Sequence, residues 1–249
     1  MNAVIETILS HRSVREFTDQ KLTEEQIQTI VSCAQRASTS SYIQAYSIIG
    51  VTDEKKKEKL AELSGNQDFV AKSGHFFIFC ADFYRHQLIG ELEDTDVIPT
   101  IETTEKFMVG LIDAALAAQN AAIAAESMGL GICYIGGLRN NLREVCELLE
   151  IPERVIPLFG LVVGYPAKIN EQKPRLPFEH IYHENVYDRN KDVLQKQLEA
   201  YNETVRNYYV KRTGGKRNDT WTGQMAKTLA TPTRTYMHDF VQEKGMNKH

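Results

Sequence analysis

The sequence has no pair of cysteines close enough to read as a metal clip or a redox couple. Cys33, Cys80, Cys133 and Cys146 lie far apart with no C-x-x-C spacing, which argues against bound metal and against a disulfide framework. Three of them sit among apolar neighbours, as small core residues do. There is no excess of positive charge: the net charge is −4 and the isoelectric point is near 6.0. That excludes a nucleic-acid or anionic-membrane partner as the expected reading, and any bound anion must be held by a local cluster of donors. No apolar stretch approaches the roughly 20 residues of a membrane span, and the opening MNAVIETILSHRS holds no secretory core. Repeats and low-complexity segments are also missing. Together these absences point to a soluble, cytoplasmic protein. Nor is there a Ser/His/Asp order, an H-E-x-x-H or a paired-carboxylate motif, so side chains that act as acids, bases or nucleophiles are not in evidence.

What is present is ordinary globular material, 42% hydrophobic and 25% charged over 249 residues. Residues 2–10 place Val4, Ile5, Ile8 and Leu9 on one helical face. Thr23 and Gln26 spell a capping box ahead of Ile27, Ile30, Val31 and Ala34. The hydroxyl-rich loop Ser38-Thr39-Ser40-Ser41 leads into the apolar run 48–51, and the lysine-rich segment 53–63 reads as an exposed helix ending near Gly65. Phe76 to Ala81 reads as a central strand buried on both faces. Residues 88–101 are acidic and read as a connection or mobile cover. The longest helix is expected from about Thr104 to Met128, with Phe107, Leu111, Ala115, Ala118 and Ala122 at near-helical spacing. A short strand follows over 129–137, a helix over 140–149, and a second buried strand over 158–164. Beyond Pro177 the composition shifts to three aromatic-bearing helical stretches. The expected division is a core over 1–177 and a helical extension over 178–249 that wraps a partner subunit.

Six segments carry polar groups suited to binding. His11-Arg12-Ser13-Val14-Arg15 offers forked guanidinium donors and a hydroxyl, a phosphate-binding set, or else a basic helix end offsetting its dipole. Ser38 to Ser41 with Gln44 can meet a ribityl chain, or simply turn the backbone. Gln67 in Gly65-Asn66-Gln67 can both donate to and accept from the edge of a heterocycle. Tyr134-Ile135-Gly136-Gly137 exposes bare backbone amides where a ring can approach. The spacing of Gly129 and Gly131, with Tyr134 at the sixth position, rejects a dinucleotide fingerprint. Lys173-Pro174-Arg175 fixes two cations apart. Lys211-Arg212-Thr213-Gly214-Gly215-Lys216-Arg217 sets four cations around a glycine hinge, a grip for a 2′-phosphate or a solvated basic turn. Binders without acids or bases fit an enzyme whose cofactor does the chemistry.

Taken in order, these segments, with Asp219-Thr220-Trp221 after the basic loop, resemble the FMN-dependent NAD(P)H nitroreductase and flavin reductase family. The likeness covers essentially the whole chain and is nearest the oxygen-insensitive major nitroreductase branch. It implies an α+β fold with a mixed central sheet flanked by helices and a helical C-terminal extension. It also implies a homodimer with FMN at the subunit interface. By that resemblance His11, Arg12, Ser13 and Arg15 hold the phosphate and ribityl chain, with Lys173 and Arg175 near phosphate and ring. Ser38 and Ser40 contact FMN from the other subunit, while Gln67, Tyr134, Ile135, Gly136 and Gly137 meet the isoalloxazine. Arg212 and Arg217 match the arginines that the branch uses for NADPH. The implied activity is two-step hydride transfer, with NADPH or NADH as co-substrate and nitroaromatics, quinones or free flavin as planar acceptors. The alternative is a non-catalytic flavin- or nucleotide-binding module of the same fold.

Overall fold

Asn2 accepts the Ile5 N–H and opens α1 (Ala3–Leu9), and the capping box of Thr23 and Gln26 opens α2 (Glu24–Ala34) as its sequence spells. The computed structural model describes residues 2–249. Next come β1 (Tyr46–Val51), α3 (Glu54–Leu63), α4 (Asp68–Lys72), β2 (His75–Asp82), α5 (Tyr84–Leu92) and α6 (Ile98–Ile101). Then follow α7 (Thr104–Ser127), β3 (Gly131–Ile135), α8 (Leu142–Leu148) and β4 (Val155–Gly164). Packing divides the chain into two units. One comprises residues up to Asn170 together with Arg234–His249, and the other is Glu171–Thr233.

In the first unit the strand order is β1-β2-β4-β3, and all three pairings are antiparallel. The sheet's mixed character comes from a single parallel bridge, Ser13 to Ile132, beside β3. All eight residues of β2 are buried because layers cover both faces. One layer packs α2 and the alanine face of α7 against Phe77, Phe79, Leu161 and Val163, and the other packs α3, α4 and α8 against Phe76, Ile78 and Val162. Each such phenylalanine contributes about 2–3 kcal/mol by burial. Gly160 on β4 lies under the Phe76 ring, where a Cβ would come within 2.2 Å. The β2–β4 register slips between Phe79 and Cys80, leaving Leu158 as the extra residue of a bulge. Pro157, which has no N–H to give a ladder, sits at that irregularity.

Several expectations change once packing is seen. The lysine-rich helix α3 is not exposed all round: Lys57, Leu60, Ala61 and Leu63 are buried, and the Lys57 ammonium donates to the Ser73 carbonyl at 2.8 Å. Residues 88–101 are no loose cover, since α5 and α6 occupy most of them. Helix α7 runs where expected, but Ala115 is exposed, and the buried face is Val109, Gly110, Asp113, Ala114, Ala117, Ala118, Ala121, Ala122 and Ala125. Small residues let this helix approach the sheet closely. α7 has the length and apolarity of a membrane span, contrary to the reading that no stretch approaches one, yet one face of it is part of the core.

The second unit contains α9 (Lys191–Thr213) and α10 (Trp221–Leu229), packed through Tyr201, Val205, Tyr209 and Trp221. Gly214, left-handed with φ 58°, ends α9 as glycine allows at a helix C-terminus. The chain then re-enters the first unit as α11 (Met237–Glu243), whose Phe240 and Val241 join Met246, Ala81 and Phe83 in the core. The division at 170/171, and the return of 234–249, differ from the expected single boundary at 177. The apolar side chains after Thr233 are buried with the sheet's own residues.

Candidate functional site

The bridge from Ser13 to Ile132 is made through the Val14 N–H, which donates to the Ile132 carbonyl at 2.8 Å. Gly131 permits it, because a Cβ there would strike Val14 at 2.7 Å. Val14 is thereby buried, and its neighbours Ser13 and Arg15 emerge beside Cys133. Burial pushes the Cys133 thiol up, partly opposed by the Arg15 guanidinium and the Ser13 hydroxyl. Arg15 has no carboxylate partner among the described residues, so its charge is available to an anion. His11 is engaged differently, with Nδ1 2.7 Å from the Glu126 carboxylate at the end of α7. The Arg12 Nε donates to the Ser10 carbonyl at 2.9 Å. Arg12 and Glu126 also line a cavity of about 230 Å³ with Gly129, Gly131 and Pro166.

Cys133, Ile135 and Leu138 share one side of the sheet, and that side leads to the glycine pair. Gln67 precedes α4, and its side-chain amide donates to the Ser64 carbonyl at 2.6 Å. Gly137 lies directly against this segment: a Cβ would fall 2.2 Å from the Ser64 oxygen and 2.7 Å from Gln67 Nε2. Only glycine permits this approach. The structure therefore brings Gln67 and Gly137 together, and sets Ser13 and Arg15 beside Cys133 on the same side of the sheet. A guanidinium and a hydroxyl suit a phosphate beside Arg15 and Ser13, and the Gln67 amide suits the edge of a planar ring. Ile135 is buried on this side, whereas the Tyr134 side chain leaves on the opposite one, edge-on to Phe159 and 3.4 Å from Gln119. Only the backbone of Tyr134 faces the side on which Gln67 and Gly137 lie. Burial raises the Tyr134 phenol's pKa, so it stays protonated.

Residues absent from the sequence reading complete the turn after β3. Arg139 donates to the Leu158 carbonyl at the β4 bulge, and its guanidinium lies beside Gly136. Burial, with help from Arg234, lowers the pKa of Arg139. Arg234 Nε donates to Asn140 Oδ1 at 3.0 Å, and the Tyr236 hydroxyl donates to the Arg139 carbonyl at 2.7 Å. The only local sequence signal for this return is Thr231-Pro232-Thr233, a loop marker with no chemistry of its own.

Ser38 and Ser40 lie in a loop whose bonds run to helices. Asp113 of α7 accepts the Ser40 N–H with one oxygen and the Ala45 N–H with the other, both at 3.0 Å. An aspartate in the middle of an otherwise apolar, alanine-rich stretch of helix is the signal that would have found it.

Lys173 and Arg175 belong to the second unit. With Tyr201, Tyr208, Tyr209 and Trp221 they line a cavity of about 390 Å³. Burial would raise the Tyr209 pKa, but Lys173, Gln224 and Arg217 together hold it below the usual tyrosine value. In the basic turn Arg217 is engaged: its Nε is 2.7 Å from Asp219, and its guanidinium lies 4.2 Å from the centre of the Tyr209 ring. Lys211 pairs with Glu171 at 3.3 Å. Among the described residues Arg212 meets Tyr208, donating to its hydroxyl at 3.0 Å with the guanidinium over its ring.

Known proteins match over the full length. The model of the nitroreductase family matches residues 8–165, and that of the nitroreductase family C-terminal domain matches residues 173–249. An FMN reductase (NADPH) of Bacillus subtilis (strain 168) is 57% identical over 249 residues, covering 100% of both chains. The structure of B. megaterium NfrA1 superposes with a TM-score of 0.98 at 63% identity, covering 99% of this chain and 100% of that one. The NADPH:FMN oxidoreductase from Vibrio harveyi, complexed with NAD+, gives a TM-score of 0.90 at 40% identity, covering 100% of both.

Proposed function

Since this chain belongs to the nitroreductase family, we propose that its site holds FMN along the face shared by Arg15, Ser13, Gln67 and Gly137, and works by hydride transfer. The protein is an FMN-dependent NAD(P)H oxidoreductase acting on small acceptors such as nitroaromatics or free flavin. The observation that carries the site is a guanidinium without a carboxylate partner among the described residues and a hydroxyl beside Cys133, on the side of the sheet that leads to the close contact of Gly137 with Gln67.

When bound, FMN would supply two-electron hydride chemistry between a nicotinamide donor and an acceptor. The side chains bind and orient. Arg15 and Ser13, with Arg12, neutralise the phosphate in charge-assisted bonds. The Gln67 amide and the Ile135–Gly137 backbone orient the ring edge, and a donor fixed there stabilises charge developing on it. His11, held by Glu126, positions the segment rather than moving a proton. For the co-substrate, Arg212 is the guanidinium free to meet a 2′-phosphate, whereas Arg217 must first exchange Asp219.

A homodimer is supported by apolar side chains left in solvent: Met108, Ile112 and Leu116 on α7, and Val4, Ile5, Ile8 and Leu9 on α1. Stripes of this kind mark an interface. Ser38 and Ser40 would reach the partner's flavin across it.

The purified protein is expected to show oxidised-flavin absorption that bleaches on anaerobic addition of NADPH, and more slowly with NADH. Flavin bands that persist with both nucleotides would leave the non-catalytic binding module. A protein colourless after incubation with FMN would sink the flavin reading itself.

A further inference from the structure

Three of the four residues from Ser41 to Gln44 adopt left-handed backbone without being glycine: Ser41 at φ 48°, Tyr42 at 61° and Gln44 at 56°. Side chains disfavour this region, and a run of such residues persists only where its surroundings over-determine it. Here they do, from two helices. Asp113, fully buried in α7, spends both carboxylate oxygens on the N–H groups that bracket the run, Ser40 before it and Ala45 after it. From α5, His86 Nε2 lies 2.8 Å from the Ile43 carbonyl, and Arg85 donates to the Tyr46 carbonyl at 2.6 Å. The loop carries the hydroxyls of Ser38 and Ser40 and the exposed Tyr42. A buried carboxylate is costly to place unless something needs it, and packing alone would be served by alanine.

We propose that Asp113 is a positioning residue for the cofactor site, its carboxylate fixing the strained Ser38–Gln44 loop so that Ser38 and Ser40 present their hydroxyls to the flavin. The inference rests on the reading that this loop meets FMN. Asp113 touches no ligand itself. It acts by holding two backbone donors at a set separation, which a neutral amide cannot do, because its NH₂ faces one N–H head-on.

The test is Asp113→Asn, read by flavin fluorescence on dilution of the FMN-loaded protein, by far-UV circular dichroism and by turnover. The expected result is FMN held at least tenfold more weakly, an unchanged dichroism spectrum, and kcat within about twofold of the parent when FMN is saturating. Adding Ser41→Gly, which relieves the left-handed backbone, should recover at least threefold of the lost affinity in the Asp113→Asn background. FMN bound as tightly by Asp113→Asn as by the parent overturns the proposal. A Ser38→Ala/Ser40→Ala variant separates the two readings. If it too leaves FMN affinity unchanged, the loop does not meet the flavin; if it weakens binding while Asp113→Asn does not, the positioning role alone fails. Should Asp113→Asn be insoluble, the double variant with Ser41→Gly is expected to be soluble and yellow, and its failure to be so counts against the proposal.

Discussion

His75 opens β2 at only 4% exposure, its ring 4.3 Å from that of Phe77 and its Nε2 without a hydrogen-bond partner. Gly50 across the pairing makes room for it, since a Cβ there would approach Nε2 to 2.9 Å. Burial, with the Lys57 ammonium adding to it, pushes the imidazole pKa from 6.5 down to about 4. Between those values the unfolded chain binds a proton that the native protein refuses. Stability from this group is therefore complete above pH 6.5 and is lost as the pH falls toward 4, by up to about 3 kcal/mol. Denaturant titrations across pH 4 to 7 should show that slope, and His75→Gln should flatten it. An equal slope in the variant would place the acid sensitivity elsewhere.

Helix α7 carries three jobs on three faces. Its alanines lie against the sheet, Asp113 holds the serine loop, and Met108, Ile112 and Leu116 face outward one helical turn apart. Introducing a charge in the outward stripe should leave the first unit folded and part the subunits. Ile112→Lys is expected to elute as a monomer in size-exclusion chromatography with unchanged circular dichroism and with weakened flavin retention. A dimer of unaltered size would move the interface off this helix. The extent of α7 is legible from the near-helical spacing of its apolar residues. Its orientation is not, because alanine is equally at home facing the core or solvent, and Ala115, spaced in line with Ala118 and Ala122, is exposed while they are buried. The same logic governs the site. Gln67, Gly136 and Gly137 are legible because they are short local motifs that need particular residue types. Arg139, Asn140 and Arg234 are not, since what matters in them is a contact made across 94 positions of chain. The lysine-rich α3 misleads for a related reason: nothing local distinguishes the one lysine, Lys57, whose ammonium finds a buried carbonyl.

At the scale of the molecule, the first unit is discontinuous, and its C-terminal stretch is not ornamental. Phe240, Val241 and Met246 are buried with Ala45, Ala81 and Phe83, and Glu102 receives both Arg154 and Lys248 at 2.8 Å. Three such side chains contribute roughly 5–8 kcal/mol by burial, comparable to the whole stability of a typical domain. A chain stopped after Thr233 is therefore expected to be insoluble or molten, judged by near-UV dichroism and by the loss of a cooperative thermal transition. A truncated protein with a native spectrum and an unchanged melting temperature would show that these contacts are dispensable. The same arrangement sets a timetable for synthesis. Residues 234–249 follow the whole second unit out of the ribosome, a delay of several seconds at about 5–20 residues per second. Through that interval the nascent sheet has its strands but not the side chains that close it, and the apolar floor beside Phe83 stays open to chaperones and to neighbouring chains.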